Sequence, residues 1–191
     1  TVNQPAQDAK FKLTNGRVVW GESAISVGGH RSSIKKVQIH PESAQANPDA
    51  VRAIEKAEVI LIGPGSLYTS IIPNFLLSGI KRATAASRAK KIFIGNVSTE
   101  RGETEGYSIK DHLKVLVEHA DPQIFDLCLV NHKIKLKSSG KRLGEVQNIT
   151  TDEKKIDRFQ IVSADVIDDK NPLYHDSEKL VKAIIRLIGR D

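Results

Sequence analysis

Two glycines and three hydroxyl side chains lie close together near the middle of the chain. Gly63 and Gly65 follow the apolar run 59–62, and Ser66, Thr69 and Ser70 come soon after them. Glycine permits a sharp turn and a close approach of the backbone to a ligand. Free backbone N–H groups at a helix start attract anions, phosphate above all. The pattern predicts a buried strand, a tight turn and a helix start that could bind phosphate or carboxylate, although such turns are also ordinary connections in α/β proteins.

This turn matches neither of the two common nucleotide-binding patterns. It lacks the lysine of G-x-x-x-x-G-K-[ST] and the spacing of G-x-G-x-x-G. The sequence therefore gives no support to a P-loop NTPase or to a dinucleotide-binding fingerprint.

The candidates for catalysis lie in the segment 98–112. Glu103 could be a general base, an acceptor for a ribose hydroxyl or a metal ligand, and the alternative is an ordinary solvated loop. Asp111 and His112 form the best pair for acid–base chemistry. Asp111 equally suits the first turn of a helix, and His112 could be a buried histidine on the apolar face.

Metal chemistry has weak support in these residue types. No histidine pair has the spacing of a zinc site. A Mg²⁺ ion held partly by phosphate oxygens is the one cofactor that we consider, with Asp111 as its candidate ligand.

Three further positions could contribute polar groups to a site. Asn96 and Asn131 each close a predicted strand, where an amide can bind a ligand or satisfy loop backbone. His175 precedes the last predicted helix, and Asp176 or Ser177 is then expected to cap that helix.

The elements that must position these residues follow from the hydrophobic pattern. Asn15-Gly16 between two β-prone runs predicts an N-terminal β-hairpin. Strand and helix patterns alternate from residue 48 onward, which predicts an α/β fold with a mostly parallel sheet and helices on both faces, a Rossmann-like three-layer arrangement. Ligands in such sheets bind outside the carboxyl ends of the strands. The loops 63–70 and 96–107 and the segment after Asn131 should then lie along one rim.

The composition indicates a single globular domain. The chain has 191 residues, of which 39% are hydrophobic and 27% charged, as is ordinary for such a domain. Its one cysteine, Cys128, lies in an apolar run and is expected to be a buried thiol in a reducing compartment, so we expect a cytoplasmic protein. No apolar run approaches the length of a membrane span.

The net charge of +6 raises the question of an anionic partner. It suits a phosphorylated small molecule or nucleic acid. Aromatic residues make up only 5% and do not alternate with basic residues along the chain, which argues against a nucleic-acid partner. The one local basic cluster consists of Lys133, Lys135, Lys137, Lys141 and Arg142.

Several of these motifs, taken in order, resemble the CofD-like family. The stretch 63–74 resembles its signature, and the order and spacing of the motifs agree over about residues 11–188. The other matching stretches are 21–23, 102–104, 106–107, 111–112, 175–176 and 179–180.

The resemblance implies one of two functions. One branch of the family is 2-phospho-L-lactate transferase, which moves a phospholactyl group onto a deazaflavin. The other is the bacterial YvcK branch of gluconeogenesis factors, which are cytoplasmic, act in carbon-source adaptation and cell morphology, and bind UDP-sugars without established catalysis. The loop 96–104 is similar to the YvcK form, so a nucleotide sugar or another phosphorylated metabolite is the expected partner, and a homo-oligomer is an open alternative. The expected ligand-binding residues are Gly63, Gly65, Ser66, Tyr68, Thr69, Ser70, Asn74, Asn96, Thr99, Gly102, Thr104 and Tyr107.

The chain departs from the family pattern in three places. Family members begin with a glycine-rich nucleotide-binding half, which is absent here, so we expect residues 1–191 to be the C-terminal part of a longer domain. Tyr174 stands where many members have arginine, and the segment 132–155 does not align. Both differences put contacts from the C-terminal part in question.

Overall fold

The computed structural model describes residues 8–21, 25, 33–136 and 146–189. In those residues, eight strands form two sheets, accompanied by five α-helices. The strands are β1 (Asp8–Leu13), β2 (Val18–Trp20), β3 (Ile34–His40), β4 (Val59–Ile62), β5 (Lys90–Ile94), β6 (Leu127–Asn131), β7 (Lys155–Ile156) and β8 (Phe159–Ala164). The helices are α1 (Pro48–Lys56), α2 (Ile72–Leu76), α3 (Ser78–Ala86), α4 (Ile109–His119) and α5 (Ser177–Ile188).

The larger sheet has five strands in the order β4-β5-β6-β8-β7. All neighbours pair in parallel except β7, which runs antiparallel to β8. The central strands β5 and β6 are almost continuously buried, as expected for parallel strands covered on both faces. The predicted mostly parallel α/β fold is therefore confirmed.

Strand β4 differs from its prediction, because it lies at the edge of the sheet. The apolar run 59–62 predicted a strand covered on both faces, but only Ile62 is buried and Leu61 is 44% exposed. An apolar run of this length does not distinguish a central strand from an edge strand, because both bury at least one face.

The N-terminal hairpin is confirmed and belongs to a second sheet. Strands β1 and β2 pair antiparallel, and Gly16 takes a φ of +86° in the turn between them. Strand β3 adds to the other side of β1, which gives the order β2-β1-β3. Phe11 and Val37, which are paired in this sheet, point into the core.

One hydrophobic core joins the two sheets. Phe11 and Val37 from the small sheet belong to the same buried cluster as Phe93, Phe125 and Cys128. The rings of Phe93 and Phe125 lie 5.4 Å apart. Cys128 is fully buried as predicted, and burial raises the pKa of its thiol.

The helix start predicted after the glycine turn is present but irregular. The chain forms one π-helical turn, Leu67–Ile71, and continues as α2 and α3. The break lies at Leu77, whose backbone is extended (φ −75°, ψ 110°). Pro73 fits the first turn of α2, where the missing N–H has no intrahelical partner to lose.

The helix ends agree with the capping signals in the sequence. Ser108 and Asp111 form a reciprocal capping box at the start of α4, and Asp176 caps α5 by accepting from Lys179 N. Gly189 ends α5 with a φ of +70°. Within the described residues, no helix is long and apolar enough to span a bilayer.

Two features of the sequence analysis fall partly outside the residues that the structure describes. They are the matching stretch 21–23, at positions 22 and 23, and the basic cluster, at positions 137, 141 and 142.

Candidate functional site

An open cleft of about 650 Å³ lies at the carboxyl ends of β4 and β5. A volume of this size suits a nucleotide-sized ligand. The loop after β4, the loop after β5 and the segment leading into α5 form its walls. Its lining residues are Pro64, Gly65, Ser66, Asn96, Val97, Ser98, Thr99, Glu100, Arg101, Val146, Leu173, Tyr174, His175, Ser177 and Leu180.

Gly63 lets the first wall turn past the end of β5. Its φ is +90°, and a Cβ at this position would lie 3.1 Å from the carbonyl oxygen of Ile94. Both the backbone angle and the space therefore favour glycine. The turn then brings Gly65 and Ser66 into the cleft.

Ser66 has a hydroxyl that its own helical turn does not use. Its carbonyl oxygen accepts from Ser70 N and Ile71 N, both at 3.0 Å. Its side chain makes no capping hydrogen bond. The hydroxyl can therefore donate to, or accept from, a bound ligand.

The second wall is the loop after β5, and its polar groups hold one another in place. The amide of Asn96 donates to Glu100 Oε1 at 3.1 Å. Thr99 Oγ1 accepts from Gln147 N at 3.1 Å, and Thr99 N donates to Gln147 O at 2.9 Å. The loop is thus tied to residues from the segment 146–150.

Asn148 connects three loops around the cleft. Its Oδ1 accepts from Lys135 N and Leu136 N at 2.7 and 2.6 Å. Its Nδ2 donates to Val97 O at 3.1 Å and to Pro172 O at 2.9 Å. One side chain therefore joins the loop after β5, the loop after β6 and the segment before α5.

The third wall ends at the start of α5, beside His175. The Nε2 of His175 lies 3.2 Å from Gly95 O, which assigns the hydrogen to Nε2 and leaves Nδ1 as an acceptor. Burial lowers the pKa of His175, and the hydrogen bond to Gly95 opposes that effect. Ser177 in the first turn of α5 also lines the cleft, so the positive end of the helix dipole borders it.

Glu103 does not line the cleft. It is only 5% exposed, and its carboxylate accepts from Tyr68 N at 3.2 Å and from Thr69 Oγ1 at 2.9 Å. A carboxylate that accepts at the first turn of a helix is a capping group. Glu103 therefore holds the π-helical turn in place.

Tyr68, Tyr107 and His112 form a second group of packed side chains, and none of the three lines the cleft. The hydroxyls of the two tyrosines are 2.9 Å apart, and burial together with this hydrogen bond raises the pKa of Tyr68. The ring of Tyr107 meets His112 edge-on, with centroids 5.6 Å apart. The Nδ1 of His112 lies 2.9 Å from Ser108 O, and its Nε2 is buried with no hydrogen-bond partner in the described residues.

Asp111 is exposed, and the helix start uses its carboxylate. Its Oδ2 accepts from Ser108 N at 2.8 Å and from Ser108 Oγ at 2.6 Å, and these hydrogen bonds lower its pKa. Among the described residues, no group of three His, Cys, Asp or Glu side chains could hold a metal ion. A Mg²⁺ ion that takes most of its ligands from phosphate oxygens and water needs only one or two protein carboxylates, so Asp111 as its ligand stays a prediction.

Four of the twelve predicted ligand-binding residues line the cleft, namely Gly65, Ser66, Asn96 and Thr99. Ser70 and Asn74 are exposed outside it, and Asn74 donates to Ser70 O. The remaining six do not line the cleft either; they are Gly63, Tyr68, Thr69, Gly102, Thr104 and Tyr107.

Several lining residues were not expected from the sequence. Glu100 and Arg101 lie in a loop of interest, but only the folded loop shows that they, and not Glu103, face the cleft. Val146 belongs to a segment with no recognisable pattern, so no signal could have placed it. Asn131 was expected at the rim, but it is fully buried and donates to Lys133 O at 2.6 Å.

The described lysines of the basic cluster pair with aspartates. Lys133 pairs with Asp165 at 3.2 Å and with Asp169 at 2.9 Å, and Lys135 pairs with Asp169 at 3.1 Å. Lys179 from α5 pairs with the same two aspartates. The other members of the cluster, at positions 137, 141 and 142, lie outside the described residues.

Comparison with known proteins gives a consistent family. The family model described as "2-phospho-L-lactate transferase CofD" matches residues 4–169. A protein of Bacillus subtilis (strain 168) named gluconeogenesis factor is 36% identical over 183 residues, which is 93% of this chain and 57% of that protein. A second gluconeogenesis factor, from Halalkalibacterium halodurans, is 35% identical over 182 residues, covering 91% of this chain and 55% of that protein.

A solved structure shares the fold. The crystal structure of a UPF0052 family protein from Bacillus halodurans superposes with a TM-score of 0.83 at 33% identity, covering 94% of this chain and 59% of that one. The chain thus spans about half the length of the curated relatives that it matches.

Proposed function

The chain belongs to the CofD family, and from this premise we propose that it is a regulatory protein of the gluconeogenesis-factor type which binds a nucleotide sugar in the cleft. The names of its relatives support this choice within the family. By the same resemblance, its proposed setting is the cytoplasm, with roles in carbon-source adaptation and cell morphology.

The composition of the cleft is the observation that carries the proposal. The glycine turn at Gly65 and Ser66 and the start of α5 at Ser177 border one space of about 650 Å³. Ser66 supplies a hydroxyl that its own turn does not use, and Ser177 lies at the positive end of the α5 dipole, which favours negative charge. Asn96 and His175 add an amide and an imidazole to the same space, and such groups fix the orientation of a sugar or a base.

The positions of the candidate catalytic residues favour binding over catalysis. Glu103 and His112 are buried and Asp111 caps α4, and none of the three lines the cleft. A general acid or base must come within hydrogen-bonding reach of the reacting atoms. The described geometry supplies a binding surface without an assembled acid–base pair.

The alternative is a transferase of the 2-phospho-L-lactate type, which the description of the family model favours. In that reaction Ser66 would bind phosphate, Asp111 would bind Mg²⁺, and the acceptor would lie over Glu103. The positions of Asp111 and Glu103 outside the cleft weigh against it. Incubation with a deazaflavin acceptor and an activated phospholactate, followed by chromatography, tests this alternative, because a phospholactyl product would establish the transferase.

Two serines on one turn allow a matched test of nucleotide-sugar binding. Ser66→Ala removes a hydroxyl from the cleft, whereas Ser70→Ala removes one that is exposed outside it. We expect titration calorimetry with UDP-N-acetylglucosamine to show about tenfold weaker binding for Ser66→Ala, because one hydrogen bond to a charged group contributes about 1.5–3 kcal/mol.

Ser70→Ala should bind like the parent chain, and both variants should keep the parent's unfolding midpoint. The titration is to be made on this chain and on any longer product of its gene. Absence of heat at millimolar ligand with every folded form, or equal losses in the two variants, would contradict the proposal.

A further inference from the structure

The outer face of the small sheet combines lysines with the single tryptophan of the chain. Phe11, Leu13 and Val37 point into the core, so alternate residues of the same strands point to solvent. We call this surface the lysine–tryptophan face, and it consists of Lys10, Lys12, Val18, Trp20, Lys36, Gln38 and His40.

Strand pairing places the tryptophan among the lysines. Trp20 lies opposite Lys10, and Val18 lies opposite Lys12. Lys10 Nζ sits 5.6 Å from the centroid of the indole ring, and the ring of His40 meets it edge-on at 5.4 Å. Trp20 nevertheless stays 45% exposed, and the flexible Lys10 side chain can move off the indole ring when a planar group stacks on it.

The lysines of this face carry uncompensated charge within the described part of the chain. Lys12 lies opposite Lys36 across the strand pair, and Lys35 beside them is also exposed. Like charges placed opposite each other are unfavourable, and no salt bridge among the described residues involves Lys10, Lys12 or Lys36. The lysines at 133, 135 and 179, in contrast, are all paired with aspartates.

We propose that the lysine–tryptophan face binds single-stranded nucleic acid, with a base stacked on Trp20 and phosphates beside Lys10, Lys12 and Lys36. Single strands are bound by a positive groove that follows the backbone together with aromatic rings on which bases stack. Residues two apart on a strand are about 7 Å apart, so the three lysines can reach adjacent phosphates. This binding is separate from the proposed nucleotide-sugar site.

Two other anionic partners fit the face less well. A membrane surface requires an apolar face that sinks into the headgroup layer, and Val18 and Trp20 are the only large apolar side chains of the face. An acidic protein segment would satisfy the lysines but would leave the open indole ring without a planar partner.

The sequence alone argued against nucleic acid, because the basic and aromatic residues do not alternate along the chain. The alternation arises instead across the strands, where β2 brings Trp20 beside lysines that are eight to sixteen residues away in sequence. Only the register of the sheet makes this visible.

Tryptophan fluorescence reports directly on this face, because Trp20 is the only tryptophan in the chain. We expect a single-stranded oligonucleotide of about twelve thymidines or uridines to quench its fluorescence at about 50 mM salt, with affinity falling by a slope of about −0.7 per phosphate contacted on a log–log plot. The two oligonucleotides separate a preference for DNA from a preference for RNA.

Two variants and one matched control locate the binding. Lys12→Glu with Lys36→Glu should weaken binding at least about tenfold and flatten the salt slope by more than about one. Trp20→Leu, followed by anisotropy of a labelled oligonucleotide, should also lose about tenfold. The control, Lys114→Glu with Lys182→Glu, makes the same change of net charge on exposed helix surfaces and should stay within about twofold of the parent.

Circular dichroism verifies that each variant is folded. The proposal is overturned if neither oligonucleotide quenches the fluorescence of Trp20 at low salt. It is also overturned if a folded chain with Lys12→Glu and Lys36→Glu keeps full affinity. Equal quenching by an oligoglutamate peptide of matched charge would assign the face to an acidic protein. Equal quenching by phosphatidylglycerol vesicles would assign it to a membrane.

Discussion

At the scale of the residue, His112 stands out because it is buried without a full set of partners. It is 1% exposed, and its Nε2 has no hydrogen-bond partner among the described residues. Burial lowers the pKa of its imidazole, and the hydrogen bond to Ser108 O and the charge of Asp111 oppose this effect only in part. His112 is therefore folded into the core in its neutral form.

We predict that His112 makes the fold sensitive to acid. In the unfolded chain a histidine titrates near 6.5, so the unfolded state takes up a proton first as the pH falls. The contribution of His112 to stability is complete above about pH 6.5 and is lost as the pH falls towards the lower folded pKa. His112→Leu removes the group that takes up this proton. Ser108 O keeps its hydrogen bond from the backbone N–H of residue 112.

Urea unfolding between about pH 7.5 and pH 5 tests this prediction. We expect His112→Leu to lose less stability over that range than the parent. His175, whose pKa burial also lowers, should preserve part of the slope in both chains. A variant as acid-sensitive as the parent would show that His112 does not titrate as described.

Single residues also show how far the sequence could identify the site. Four of the expected ligand-binding residues, Gly65, Ser66, Asn96 and Thr99, lie together along one cleft, because strand ends of a parallel sheet must meet at one rim. Glu103 could not be placed, since a carboxylate that caps a turn and one that faces a ligand have the same local sequence. The direction of its side chain depends on the packing of Thr69 against it.

At the scale of the element, the walls of the cleft depend on a segment with no regular structure. Strands β5 and β6 end at the rim, and residues 146–150 return to the rim and bridge to Ser98 through Asn148. Asn148 then fastens three loops with four hydrogen bonds. The apolar pattern of the sequence predicted the strands. It gave no signal that residues 146–150 return to the rim, because the hydrogen bonds that hold them there join the side chain of Asn148 to distant backbone groups.

We predict that Asn148→Ala destabilises the chain by about 3 kcal/mol and weakens ligand binding. Val97 O keeps a bond from Ile149 N, but Pro172 O, Lys135 N and Leu136 N lose their partner in Asn148. Each buried group left without a partner costs about 1–3 kcal/mol, less where water can enter.

Urea unfolding of Asn148→Ala against Asn74→Ala measures this effect. Asn74 is exposed and bonds only its own helical turn, at Ser70 O, so its replacement should change the unfolding free energy by no more than about 0.5 kcal/mol. Similar losses in the two variants would mean that Asn148 does not hold the loops together.

At the scale of the whole molecule, the sequence predicts the larger sheet more fully than the smaller one. The parallel sheet follows from alternating strand and helix patterns, which allow few topologies. The hairpin also followed from Asn15-Gly16, but the addition of β3 and the packing of this sheet on the main core did not. Those contacts join residues from Phe11 to Phe125, and no local pattern specifies partners that far apart.

At the same scale, β4 has an open edge in this chain, which spans about half the length of its relatives. It is the edge strand of a parallel sheet, with Val59 and Ile60 half-buried and Leu61 44% exposed. An exposed, apolar edge is a template for pairing with another chain. We therefore predict that this 191-residue chain associates with itself through β4. Leu61→Lys should weaken the association at least about tenfold, because a charged side chain blocks edge-to-edge pairing.

Sedimentation velocity over a concentration series measures this change in association. Ile134→Lys is the matched control, because Ile134 is 50% exposed but lies outside any strand. It should associate like the parent, and both variants should keep the stability of the parent to within about 0.5 kcal/mol, since neither side chain is buried. Equal association of the Leu61→Lys chain and the parent would show that the edge of β4 is not the contact.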